Sequence, residues 1–148
     1  MKLDEIDIAI LRLFQSDCRI GLKEIGEKIG KSPSFVKYRL TKLMDSGVIK
    51  KCVALLDESK LGYIYDAIIM VRIEPGKLEK FEEFIMSKEE ILYAYAVTGE
   101  YDVCIIAIFK DEPHYLRFVE ELHNSECVKE TTTFVIVKKI KEDPKVPI

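Results

Sequence analysis

The chain has 148 residues, of which 48% are hydrophobic, and its formal net charge is −3 at pH 7. This length and composition allow one or two domains with a buried core, which excludes a disordered protein. The apolar runs are too short to cross a bilayer, the acidic N-terminus excludes a secretory signal, and the four cysteines form no CxxC pair. We therefore expect a cytoplasmic protein with reduced thiols and no metal site.

The charge is distributed unevenly along the chain. Residues 63–148 carry a net charge of −6, whereas residues 19–51 carry nine basic and three acidic side chains. A basic segment within an acidic protein indicates that this segment meets a polyanion.

Three short helices are predicted in the first fifty residues. The first has apolar residues at helical spacing in LDEIDIAILRLFQSD, and the second spans about Leu22 to Ile29. Gly30 then breaks the chain, and Ser32 can cap a third helix that has Pro33 at its first position. That third helix ends near Gly47, which suits a left-handed C-cap.

The third helix has one apolar and one polar face. Val36, Leu40 and Leu43 form its buried stripe, and hydroxyl groups lie on the opposite face. Lys37 and Lys42 flank that face, whereas Arg39 sits nearer the buried edge. A tight glycine turn before such a helix is typical of a helix-turn-helix, although a basic helix face is often only solvated. Hydroxyls would lie nearest the bases and cations nearest the phosphates of double-stranded DNA. The predicted DNA contacts are Ser32, Ser34, Lys37, Tyr38, Arg39, Thr41 and Lys42.

A second domain of alternating strands and helices is predicted after the segment VIKKCVALLD, which we interpret as a strand forming a wing or arm. The order βαββαβ is that of a ferredoxin-like sandwich, so the fold class is α+β. The predicted domains are a winged helix-turn-helix at residues 1–50, a strand and linker at 51–62, and the sandwich at 63–148. The predicted elements of the sandwich are Tyr63–Ile73, Lys77–Met86, Ile91–Val97, Tyr101–Phe109, a helix opened by Pro113, and Val128–Ile140.

Both faces of the two central strands in this sandwich are apolar. In VCIIAIF, for example, Ile105 and Ala107 point one way and Ile106 and Ile108 the other. Helices cover one face, and the chain has no spare element for the second. We therefore expect a homodimer whose sheets pack face to face.

The residues that end at LGY resemble the DNA-binding half of the Lrp/AsnC (feast/famine) transcription regulators. VTGEYDV followed by ETTTFVIV is similar to the effector-binding signature of their second domain. The scarcity of Gln and Asn beside many Lys, Glu and Ile is the bias expected of a hyperthermophile, and an AT-rich genome would give part of it. Together with the resemblance, it leads us to expect a thermophilic archaeon as the source. The resemblance covers essentially the whole chain. It implies dimers that assemble to tetramers or octamers, and an effector, usually an amino acid, held where dimers meet.

The ligand loop that the resemblance implies consists of Thr98, Gly99, Glu100, Tyr101 and Asp102. A glycine turn leaves backbone N–H groups for a carboxylate, and Asp102 can pair with an ammonium group. Thr131 and Thr133 face the same way on a strand and can supply hydroxyls, although both also suit an ordinary strand. Four positions depart from the family pattern, so no target sequence is predicted: Gly21, Gly26, Phe35 and Tyr38.

Two alternatives to a sequence-specific regulator come from other functional classes. Some Lrp-like proteins are enzymes, among them siroheme decarboxylases, but the histidine motifs that such catalysis uses are absent here. His114 and His123 are nine residues apart on one helix, so their side chains point to opposite sides of it, and we predict no catalytic residue, cofactor or metal ligand. A DNA-organising protein of low sequence specificity is the second alternative, and salt dependence and specificity ratio distinguish it.

Overall fold

The computed structural model describes residues 2–148 of the chain. Two compact units are present in it: the residues up to Leu55 together with Lys141–Ile148 form one, and Leu56–Ile140 form the other. The C-terminal residues thus belong to the first unit, whereas the sequence prediction extended the second domain to residue 148. Hydrogen bonds between the first helix and the backbone of the C-terminal residues account for this difference.

The first unit contains three helices at the predicted positions, α1 (Glu5–Ser16), α2 (Leu22–Ile29) and α3 (Pro33–Asp45). Their packed faces form a small core in which Ile10, Ile25, Val36 and Leu43 are fully buried. Because three helices share this core, the orientation of α3 about its own axis is set by its apolar stripe.

Capping groups determine where these helices begin and end. Asp4 accepts a hydrogen bond from the N–H of Asp7 at 2.8 Å, and the Asp7 carboxylate accepts one from the N–H of Asp4 at 3.1 Å. This capping box starts α1. The Ser32 side chain accepts from the N–H of Phe35 at 3.2 Å, which confirms the predicted cap of α3. Gly30 closes α2 with a φ of 67°, a conformation that glycine adopts without steric cost.

The strand predicted after α3 is not formed. Residues 50–57 have no regular secondary structure, and the apolar side chains of Val53, Leu55 and Leu56 are exposed. A strand requires a neighbour whose backbone pairs with it, and within residues 2–148 the four strands pair only with one another. A short 3₁₀ turn, Glu58–Leu61, follows this unpaired segment.

The second unit has the predicted βαββαβ order. Its sheet is antiparallel with the strand order β2-β3-β1-β4, so β1 and β3 are central as predicted. The last strand ends at Val135, earlier than predicted. Val135 pairs with Ala67, and the antiparallel partner β1 begins only two residues before Ala67, at Tyr65, so later residues have almost no strand to pair with. The elements are β1 (Tyr65–Ile73), α4 (Leu78–Met86), β2 (Ile91–Ala96), β3 (Val103–Phe109), α5 (Glu112–Asn124) and β4 (Val128–Val135).

The core of this unit lies between the sheet and its two helices. Alternate residues of β1 and β3 are buried there against Phe81 of α4 and against Phe118 and Leu122 of α5. The residues between them point to the other face of the sheet, which no element of this unit covers, and are only partly buried: Ile68, Met70, Cys104, Ile106 and Ile108. Within residues 2–148, no helix is both long and apolar enough to pass through a membrane.

Candidate functional site

The candidate DNA interface of the first unit is the outward face of α3, where exposed polar residues lie. Val36, Leu40 and Leu43 are buried on the opposite side, so the core fixes which side chains project outward. Tyr38 is 61% exposed at the middle of the helix, which places a ring with a polar hydroxyl at the centre of this face. Six of the seven predicted contacts are exposed on α3 or at its cap: Ser32, Ser34, Lys37, Tyr38, Thr41 and Lys42.

Arg39, the seventh predicted contact, is committed to α1. Its Nη1 donates to Asp4 Oδ2 at 2.7 Å and to Asp7 Oδ1 at 3.0 Å, and its side chain is only 19% exposed. The Asp7 carboxylate is 5% exposed and needs such a partner, because a buried unpaired charge is costly. A hydrogen bond from the N–H of Asp7, together with Arg39, holds the pKa of Asp4 below its usual value. Arg39 therefore positions α3 against α1 instead of extending towards a phosphate.

Two cations flank the ring of Phe35 at the start of α3. Lys31 Nζ lies 5.6 Å and Arg39 Cζ lies 5.0 Å from the ring centroid, both within cation–π range. Lys31 is thereby held beside the helix N-terminus, where a DNA phosphate is favoured. The sequence prediction omitted Lys31, which lies just before the cap at Ser32.

Gly26 allows the turn between α2 and α3 to close tightly. A Cβ built on Gly26 would lie 2.4 Å from the backbone oxygen of Lys31, closer than real Cβ atoms come. The N–H of Lys31 also donates to the Gly26 carbonyl at 2.8 Å. The glycine at this position, noted above as a departure from the family pattern, is thus required by a close backbone approach.

The predicted ligand loop, residues 98–102, connects β2 to β3. Gly99 has a φ of 116°, and Thr98, Gly99 and Glu100 are exposed. Asp102 fixes the loop to the end of β1: its Oδ2 accepts from the N–H of Ile73 at 2.7 Å, and its N–H donates to the Val71 carbonyl at 3.0 Å. Asp102 also lines a shallow pocket of about 180 Å³ next to Pro75, Gly76 and Leu78.

A polar cluster lies beside this loop on the open face of the sheet. The Tyr101 hydroxyl and Thr132 Oγ1 are 2.7 Å apart, and Arg72 Cζ lies 5.5 Å from the Tyr101 ring centroid. Arg72 also pairs with the carboxylates of Glu100 at 3.1 Å and Glu130 at 3.3 Å. The cluster thus contains one guanidinium, two carboxylates and two hydroxyls. Such groups can bind the carboxylate and the ammonium group of a small zwitterion.

Thr131 and Thr133 point towards the helices and away from this cluster. Thr133 Oγ1 accepts from the Tyr115 hydroxyl at 2.8 Å, and Thr131 Oγ1 lies 3.3 Å from His123 Nε2. The two threonines do share a face, as their spacing predicts, but the loop contacts Thr132 between them. A strand alternates its side chains, and the sequence alone does not show which set faces the loop.

Comparison with known protein families matches a family model to each of the two units. Residues 3–50 match the winged helix-turn-helix DNA-binding model, and residues 66–146 match the model of the Lrp/AsnC ligand binding domain. The chain belongs to the Lrp/AsnC family. It is a transcription regulator with a DNA-binding helix-turn-helix and a ligand-binding domain, which confirms the predicted fold class and family.

Relatives of this Lrp/AsnC chain match it over nearly its full length. The HTH-type transcriptional regulator FL11 of Pyrococcus horikoshii is 34% identical over 146 residues, 99% of this chain and 97% of that protein. The HTH-type transcriptional regulator Ptr1 of Methanocaldococcus jannaschii is 32% identical over 147 residues, 99% of each. Among solved structures, a transcriptional regulator of Neisseria meningitidis in complex with L-Met has a TM-score of 0.93 at 31% identity, covering 99% and 97% of the two chains. The archaeal relatives fit the predicted source.

Proposed function

We propose that this Lrp/AsnC protein is a sequence-specific regulator in the cytoplasm that reads DNA with α3 and responds to an amino acid. The observation that carries the DNA-binding part is the division of α3 into a buried apolar stripe and an exposed face of hydroxyls and cations. Ser34, Tyr38 and Thr41 would contact base edges, and Lys37 and Lys42 would contact phosphates.

The proposed regulator acts as a homodimer. The open apolar face of the sheet and the exposed side chains of residues 53–56 both leave apolar surface that a second copy would cover. Two copies of α3 would then meet half-sites about one helical turn apart, roughly 34–36 Å, or a multiple of that. Assembly to tetramers or octamers belongs to the same proposal.

The proposed effector is an amino acid held by the loop at residues 98–102. Backbone N–H groups around Gly99 would bind its carboxylate and Asp102 its ammonium group. The neighbouring hydroxyls of Tyr101 and Thr132 and the guanidinium of Arg72 supply further polar contacts. The relative from Neisseria meningitidis, solved with L-Met, supports an effector of this class.

A catalytic role is not part of this proposal. The relatives are named as transcriptional regulators. His114 Nδ1 accepts from the N–H of Lys110, so its Nε2 carries the proton and donates to Glu90 at 3.1 Å. His123 contacts Thr131. Both histidines of α5 therefore make structural contacts with residues outside that helix.

Selection from a pool of random DNA duplexes tests the proposed function against a DNA-organising role. A sequence-specific regulator should enrich one sequence with two-fold symmetry. It should bind that sequence about 10³-fold or more tightly than unselected DNA at physiological salt. Enrichment of no sequence, with equal affinity for all duplexes, would favour the DNA-organising role instead.

A further inference from the structure

The C-terminal residues of the chain are held on α1 through their backbone. The Gln15 side-chain amide makes two hydrogen bonds to Val146, accepting from its N–H at 3.0 Å and donating to its carbonyl at 3.0 Å. One turn earlier on α1, Arg12 Nε donates to the Ile148 carbonyl at 2.7 Å. Two side chains of one helix thus fix a segment that is more than 130 residues away in sequence.

Two prolines restrict the backbone of this segment. Pro144 and Pro147 flank Val146, and proline fixes the backbone φ, so less conformational entropy is lost on binding to α1. The N–H of Lys145 also donates to the Asp143 carboxylate at 3.2 Å, which forms a local turn. We call residues 141–148 the C-terminal strap.

The chain is anchored in the second unit just before the strap begins. Lys139 Nζ lies 2.7 Å from Glu58 Oε1 and 3.1 Å from Asp66 Oδ2. The chain passes between the two units twice, after Leu55 and after Ile140. Because Glu58 follows the first crossing and Lys139 precedes the second, one ion-pair cluster joins the two crossings within the second unit.

The helix that receives the strap also holds the recognition helix. Arg12 and Gln15 lie towards the end of α1, while Asp4 and Asp7 at its start bind Arg39 of α3. We propose that the C-terminal strap transmits the state of the ligand-binding unit to α3 by holding α1. The proposal rests on the proposed function only in that α3 is taken to read DNA.

Amide hydrogen exchange of the full chain tests whether the strap holds α1. Exchange in the last two turns of α1 should become about threefold faster or more in a chain carrying both Arg12→Ala and Gln15→Ala, because three hydrogen bonds are lost. Ser16→Ala is the matched control, since its hydroxyl bonds to the Arg12 carbonyl within α1. Unchanged exchange in the double variant would show that the strap does not hold α1, whether or not the protein binds DNA.

The same measurement with a 40-base-pair duplex bound tests transmission. DNA binding should slow exchange in β4 and residues 136–140 of the unmodified chain and of the Ser16→Ala control. This effect should be lost in the double variant, although the variant still binds the duplex. An equal response in all three proteins, or no response in the unmodified chain with DNA bound, would overturn the proposal. If the chain bound no duplex at all, the proposed function would be rejected. Hydrogen exchange in α1 would then still show whether the strap holds this helix.

Discussion

At the scale of single residues, Arg39 shows how a cation on a recognition helix can serve the fold. Arg39, Lys37 and Lys42 are cations of the same helix, and all three were predicted to contact DNA. The structure separates them, because Arg39 lies at the edge of the buried stripe and reaches Asp4 and Asp7. A planar guanidinium suits two carboxylates better than an ammonium group does.

Replacing Arg39 should therefore affect folding more than phosphate binding. We expect Arg39→Ala to lower the melting temperature while the salt dependence of DNA binding stays as in the unmodified chain. Lys37→Ala, on the exposed face of α3, should leave the melting temperature nearly unchanged and reduce the salt dependence. Calorimetry and fluorescence anisotropy measure the two effects. A loss of about one phosphate contact in Arg39→Ala would contradict this assignment.

At the scale of elements, patterns within one segment were predictable, and features that depend on distant segments were not. The bounds of α2 and the cap at Ser32 follow from local periodicity and capping chemistry. The segment at 50–57 has strand-like composition but no pairing partner in the part of the chain that the structure describes, residues 2–148. Similarly, no local signal predicts that Thr132, and not Thr131 or Thr133, contacts the loop.

The ligand loop makes a testable prediction at this scale. One of the twenty amino acids should raise the melting temperature, because a ligand at 100 times its Kd stabilises a fold by about 2.7 kcal/mol. Asp102→Asn keeps an acceptor for the N–H of Ile73 but removes the charge that pairs with an ammonium group. We expect it to weaken that ligand's binding about tenfold or more.

Asp111→Asn is the matched control for Asp102→Asn, since asparagine also caps helices well and α5 should be retained. Its response to the amino acid should equal that of the unmodified chain. If Asp102→Asn also responds normally, Asp102 does not bind the ammonium group. If no amino acid stabilises the unmodified chain, the loop is better explained as an assembly contact.

At the scale of the whole molecule, one face of the sheet is left open by the helices of the second unit. Apolar residues of both central strands line it, and such faces are normally covered in a stable protein. Composition and alternation were sufficient to predict this face. The return of the C-terminal strap to α1 was not predictable, because its hydrogen bonds use the strap's backbone and leave no side-chain pattern.

A charge at the centre of the open face should disrupt the dimer. We expect the unmodified protein to have at least twice the chain mass of 17.1 kDa in light scattering, and Ile106→Glu to shift towards the monomer. Leu116→Glu is the control, since Leu116 is 55% exposed on α5. A monomeric unmodified protein, or an equal effect of the two substitutions, would contradict packing through this face.

The central claim is that the exposed face of α3 binds DNA, and the salt dependence of DNA affinity tests it most directly. The logarithm of the affinity should fall linearly with the logarithm of salt concentration, with a slope of about −0.9 for each phosphate contacted. Lys42→Ala should make this slope shallower by about 0.9 and weaken binding to all sequences, whereas Lys80→Ala, exposed on α4, should change neither. Identical slopes for the unmodified chain and Lys42→Ala would contradict the assignment of this face.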